Sequence, residues 1–134
     1  MSHAATSRPA ALVAEDDRAL ADVLRLAFVR AGFDVTVAKN GYEALQFASA
    51  SRFDVVCSDY QMPMLNGEQL LTAIRGEGPS SDAVCLLCSA KSYELDCERL
   101  ISELRLQAVF YKPFSLMEIA AAALKGLEER VAVA

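Results

Sequence analysis

The sequence has no tryptophan and one histidine, His3, in a polar N-terminal stretch. With no other histidine there is no credible Ser-His-Asp or Cys-His catalytic set. There is also no good phosphohistidine donor, so another molecule must bring any phosphate used here. No apolar run is long enough to cross a bilayer, and Met1 to Pro9 lacks the apolar stretch of a signal peptide. The expectation is a cytoplasmic protein with no membrane partner. Lys and Arg number 13 against 18 Asp and Glu, for a net charge of −5, and they form no cluster. Nucleic-acid binding needs a basic face, so direct contact with nucleic acid is not expected.

Cysteine occurs four times, at positions 57, 85, 88 and 97, without the partners a zinc site needs. Cys85 and Cys88 resemble a metal or redox pair by spacing alone. In a strand, however, residues three apart point to opposite faces. Cys57, Cys85 and Cys88 also lie in apolar runs, so they read as small core residues. With 134 residues and 54% hydrophobic composition, the chain suits one domain with an ordinary core.

Periodicity alternates along the chain. Ala11 to Ala14 is an apolar strand that stops at Glu15-Asp16-Asp17. Leu20, Val23, Leu24, Ala27 and Ala31 recur at helical spacing, and Gly32 ends the run; Asp17 reads as the N-cap. A strand follows over 33–39, with Val35 and Val37 on one face. Asn40-Gly41 reads as a turn, and a short helix carries Ala44, Leu45 and Ala48. A third strand, 53–57, runs to Ser58-Asp59, and a helix begins near Gly67 with Leu70, Leu71 and Ile74 inward. A fourth strand, 83–88, ends at Ser89-Ala90, before a helix with Leu100, Ile101 and Leu104. A fifth, 108–111, ends at Lys112-Pro113, and Ser115 to Glu118 reads as a capping box for a last helix. That helix turns Ile119, Ala122, Ala123 and Leu127 inward.

Five strand–helix units with near-continuous apolar strands predict a parallel sheet covered on both faces. The fold expected is a doubly wound, flavodoxin-like three-layer α/β sandwich with strand order 2-1-3-4-5. The domain is placed at 10–128, with a flexible tail over 1–9 and a second tail over 129–134.

Open α/β sheets bind ligands beyond the carboxyl ends of their strands. Glu15 and Asp16, Asp59, Ser89 and Lys112 all fall there, after strands one, three, four and five. Three carboxylates at one edge repel one another unless a cation sits among them. A hard, oxygen-seeking ion such as Mg2+ fits, with Mn2+ as an alternative. Lys112 and Ser89 would then complete a receptor for a phosphoryl group, and Asp59 is the best nucleophile for an acyl phosphate. Each residue alone has a plainer reading as a cap, a turn residue or a solvated charge. The joint arrangement carries the argument.

The chain resembles the response-regulator receiver family over nearly its whole length. The resemblance rests on Leu12 to Asp17, on Asp59-Tyr-Gln-Met-Pro-Met-Leu-Asn-Gly67, on Cys88-Ser-Ala90 and on Tyr111-Lys-Pro-Phe114. It implies that Asp59 is the phosphoacceptor and that Asp16, Asp59 and the backbone carbonyl of Gln61 ligate the metal. Glu15 would hold the metal through water, while Ser89 and Lys112 would bind the phosphoryl group. It further implies a cis Lys112–Pro113 bond, a tight backbone at Gly67, and a role for Gln61 and Lys91 in phosphate lifetime. The switch region would comprise Ser89, Ala90, Lys91 and Val109. Two features depart from the family pattern. Val109 stands three residues before the lysine, where the family usually has Tyr or Phe. Lys91 puts a long, charged side chain beside the site. Phe110 and Tyr111 follow Val109 directly, and strand register decides which way they face.

The resemblance implies a signalling module that takes a phosphoryl group from a histidine kinase or a histidine phosphotransfer protein. It catalyses only its own phosphorylation and dephosphorylation. Its output would be a switched surface around the fourth helix, fifth strand and fifth helix, offered to a downstream protein or to a second copy as a phosphorylation-dependent homodimer. The alternative is a docking module of the same fold whose output ignores phosphate. An FMN protein is disfavoured because three acids follow strand one where a phosphate would sit. A phosphatase would show repeated turnover on small substrates.

Overall fold

The computed structural model describes residues 7–90 and 95–133. Five strands alternate with five helices. The strands are β1 (Ala10–Ala14), β2 (Asp34–Ala38), β3 (Val55–Asp59), β4 (Val84–Ala90) and β5 (Leu106–Lys112). The helices are α1 (Arg18–Arg30), α2 (Gly41–Ala50), α3 (Gly67–Gly76), α4 (Cys97–Leu104) and α5 (Leu116–Val133). All strand pairs are parallel, in the order β2-β1-β3-β4-β5. This is the architecture expected from the alternation.

The sheet separates two apolar layers. One contains Leu12, Val56, Leu70, Leu71, Leu87 and Leu100, under α2, α3 and α4. The other contains Val13, Leu24, Phe28, Phe33, Leu86 and Ile119, under α1 and α5. Phe28 and Phe33 meet edge to face at 5.4 Å. Each buried aromatic of this kind contributes about 2–3 kcal/mol by leaving water. Val35 and Val37 both pack in the second layer, as their alternation predicts.

Short polar side chains start the helices. Asp17 accepts from Leu20 N–H, and Asp96 from Arg99 N–H. Asn66 and Gln69 exchange hydrogen bonds in a capping box. Ser115 accepts from Glu118 N–H, as expected at the start of α5.

Several expectations change. Asn40 is the N-cap of α2, accepting from Glu43 N–H, and Gly41 is its first helical residue rather than part of a turn. Val23 is 44% exposed, while Ala21 and Phe28 take inward positions on α1. Ile101 is likewise exposed. The boundary placed at 128 falls inside α5, where Arg130 hydrogen-bonds the Asp54 carboxylate at 3.0 Å. Cys85 and Cys88 do lie in opposite layers, and all four cysteines are free. The thiol nearest Cys88 is Cys57, across β3 and β4 at 3.9 Å. Among the described residues no helix is long and apolar enough to cross a membrane.

Candidate functional site

Register assembles the site. Ala14 pairs with Ser58, so Glu15, just past β1, and Asp59, the last residue of β3, come side by side at the strand ends. Asp59 pairs with Cys88, which places Ser89 one step beyond. Ser89 pairs with Tyr111 and Ala90 with Lys112. Four strand ends therefore deliver acids, a hydroxyl and an amine to one edge.

One carboxylate oxygen from each of Glu15, Asp16 and Asp59 lies within 4.8 Å of the other two. Lys112 Nζ is 3.2 Å from Asp59 Oδ1. Glu15 and Asp59 are buried, whereas Asp16 is exposed. Glu15 Oε2 accepts from Asp17 N–H at 3.1 Å, while its Oε1 is the one buried side-chain oxygen or nitrogen among the described residues without a partner.

The electrostatics follow from this crowding. Burial raises the Glu15 carboxyl to about 7, against the pull of the Asp17 N–H, and the charges of Asp59 and Asp16 add to the rise. Burial also raises Asp59, with Asp16 adding to it, and Lys112 only partly offsets the shift. For Lys112 burial acts downward, yet the charge of and hydrogen bond to Asp59 leave the amine above its usual value. Crowded, buried carboxylates of this kind mark a place where a cation would be favoured. Hard carboxylate oxygens, an orphaned buried oxygen and raised acid pKa values fit a divalent ion of the Mg2+ type.

Backbone contacts fix the end of β3. Tyr60 N–H donates to Cys88 O at 2.7 Å, and Gly67 N–H donates to Tyr60 O at 2.7 Å. Ser58 Oγ donates to Asp59 O at 2.9 Å. A Cβ on Gly67 would stand 2.5 Å from Asp59 O and 2.8 Å from Leu87 Cδ1. Gly67 is thus a close-approach glycine that lets α3 start directly against the strand carrying Asp59.

Glu15, Asp16, Asp59 and Lys112 come together as the sequence indicates. Ser89 is buried at the same edge, but its hydroxyl donates to Ala90 O at 3.3 Å. The Lys112–Pro113 bond is cis. Gln61 lies two residues past Asp59 with an exposed side chain. Lys91 lies outside the described residues. Val109 packs against the layer beneath α4, whereas Phe110 packs in the opposite layer. Tyr111, two residues past Val109, is on the α4 side, and its hydroxyl lies 3.0 Å from Cys97 Sγ. Sequence reasoning missed this pairing: Cys97 and Tyr111 are 14 residues apart in different elements.

The model of the response regulator receiver domain matches residues 11–124. Among curated proteins, the chain is 38% identical over 120 residues to the transcriptional activator protein PfeR of Pseudomonas aeruginosa, covering 88% of this chain and 37% of that protein. It is 33% identical over 128 residues to the transcriptional regulatory protein PrrA of Mycobacterium leprae, covering 96% of this chain and 54% of that one. The chain thus spans about half, or less, of the length of these relatives. A solved receiver domain of a Francisella response regulator superposes with a TM-score of 0.80 at 28% identity, over 91% of this chain and 98% of that one. A CheY-like receiver domain from Methanospirillum hungatei shares the fold, with a TM-score of 0.85 at 18% identity over 96% of this chain and 100% of that one. With a family model that matches residues 11–124 and a fold shared with solved receiver domains, the chain belongs to the response regulator receiver domain family.

Proposed function

We propose that Asp59 accepts a phosphoryl group from a phosphohistidine donor, a histidine kinase or histidine phosphotransfer protein, in an Mg2+-dependent reaction. The observation that carries this reading is the buried Asp59 carboxylate, held between Lys112 and the acids Glu15 and Asp16. Asp16, Asp59 and the Gln61 backbone carbonyl would hold the ion directly, and Glu15 through water. When bound, such an ion neutralises the acids and the charge that develops on the phosphoryl oxygens.

This chain's own groups do the rest. An Asp59 carboxylate oxygen bonds to phosphorus as the phosphorus–nitrogen bond breaks, and the bonding pair stays with the donor imidazole. Lys112 moves its ammonium from the carboxylate to a phosphoryl oxygen. Ser89 turns its hydroxyl from Ala90 O toward another. Both shifts act on β4 and β5, so the surface formed by α4, β5 and α5 changes toward a downstream protein or a second copy. The module modifies itself and does not turn over small substrates. The naming of two relatives as transcriptional regulators favours an output on transcription, and the net charge of −5 favours another segment or protein as the part that touches DNA.

Incubation with acetyl phosphate and Mg2+, followed by intact-mass measurement, tests the proposal. The wild type should gain one phosphoryl group; Asp59→Asn, or a chelator, should abolish the gain. Equal labelling of Asp59→Asn would overturn it.

A further inference from the structure

Tyr111 lies between the two groups that must move when the site is loaded. It is the chain neighbour of Lys112 and the cross-strand partner of Ser89. Its hydroxyl does not face the acidic edge. It reaches α4, where it meets Cys97 Sγ at 3.0 Å in the helix's first turn. Either of the two groups can donate to the other. Asp96, the residue before Cys97, caps the same turn through Arg99 N–H. One side chain of β5 thus reaches the capped start of α4.

The hydroxyl of Ser89 and the amine of Lys112 are both engaged away from any phosphoryl group here, on Ala90 O and Asp59 Oδ1. The Tyr111–Cys97 contact is made together with these two. The Val109 side chain has no polar atom with which to report on the site and is packed in the layer beneath α4. Tyr111 is the next residue along β5 on that face, and it carries a hydroxyl.

We propose that the Tyr111–Cys97 hydrogen bond is a latch that holds α4 against β5 in the unphosphorylated state, and that loading Asp59 releases it. This inference rests on Asp59 being the phosphoacceptor. Energy spent holding the unloaded arrangement must be overcome by the phosphoryl group, so breaking the latch should tighten binding of a phosphoryl mimic. A contact with a merely structural role would lower stability in both arrangements and leave that affinity unchanged.

The test is a double-mutant cycle on the full chain with Tyr111→Phe, Cys97→Ala and both together, reading beryllofluoride affinity calorimetrically at saturating Mg2+. Each single variant should bind about threefold to tenfold more tightly, the span set by one side-chain hydrogen bond. The double variant should gain no more than either single one, because both remove the same contact. Cys97→Ala leaves the tyrosine ring in place, so it separates loss of the hydrogen bond from loss of packing. Unchanged affinity, additive gains or weaker binding in the variants would each overturn the latch. Absence of beryllofluoride binding by the wild type would overturn the phosphoacceptor reading, and the latch with it.

Discussion

Lys112 Nζ sits 3.2 Å from Asp59 Oδ1, a cation resting on the carboxylate of a three-acid cluster. The ammonium occupies part of the space and charge that a divalent ion would claim. The same group would later stabilise a phosphoryl oxygen. On the proposed function, one residue would thus oppose metal binding and support the chemistry.

Lys112→Ala should separate these roles. Removing a part-exposed ion pair should strengthen Mg2+ binding by about 1 kcal/mol, or about fivefold, in a calorimetric titration. Phosphorylation by acetyl phosphate should slow by about 100-fold or more, the usual loss when one preorganised cationic donor is removed.

Glu15 should exchange a proton for the metal. Its folded-state pKa, raised from 4.5 to about 7, means that the folded protein binds more protons than the unfolded chain between those values. Its contribution to stability is therefore greatest at low pH and declines as pH rises through that window. Mg2+ reverses the preference, so binding near pH 6.5 should release protons, detectable as a dependence of the calorimetric heat on buffer ionisation. Glu15→Gln should largely remove that dependence.

Asp54 has the opposite sign. Burial acts upward, but the Ala10 N–H, Arg130 and Arg52 together hold its carboxyl below 3.8. Its stabilisation is present above the unfolded pKa and is lost as pH falls through the folded one. Asp54→Asn should lower the Tm at pH 7 and have a smaller effect near pH 3. Thermal melts at the two values check this.

Gly67→Ala should cost about 1–3 kcal/mol, because the added methyl meets Asp59 O and Leu87 and the strand end must shift. A fall in Tm together with slower phosphorylation is expected. Unchanged phosphorylation would show that α3 can retreat without moving Asp59.

The fold was legible because its signals are local. Apolar runs fall at 11–14, 55–57 and 83–88, helical periodicity lies between them, and polar residues end each strand. The site was legible because parallel strands share one chemical edge, so Asp59, Ser89 and Lys112 needed only strand order to be gathered. Facing was harder to read on half-buried helices. Val23 and Phe28 both fit an apolar stripe on α1, and only packing puts Phe28 inside and leaves Val23 exposed. Asn40-Gly41 carried a turn signal that a helix cap satisfies equally well. The hydroxyl of Ser89 chose its neighbour's carbonyl, and Tyr111 found Cys97, through tertiary distances that no spacing rule encodes.

Borohydride trapping after phosphorylation tests the central claim most directly, since it converts an aspartyl phosphate into homoserine at the position that carried it. After reaction with acetyl phosphate and Mg2+, peptide sequencing by mass spectrometry should find homoserine at position 59 alone. Homoserine at position 15, 16 or elsewhere, or none despite a phosphorylated intact mass, would contradict the account.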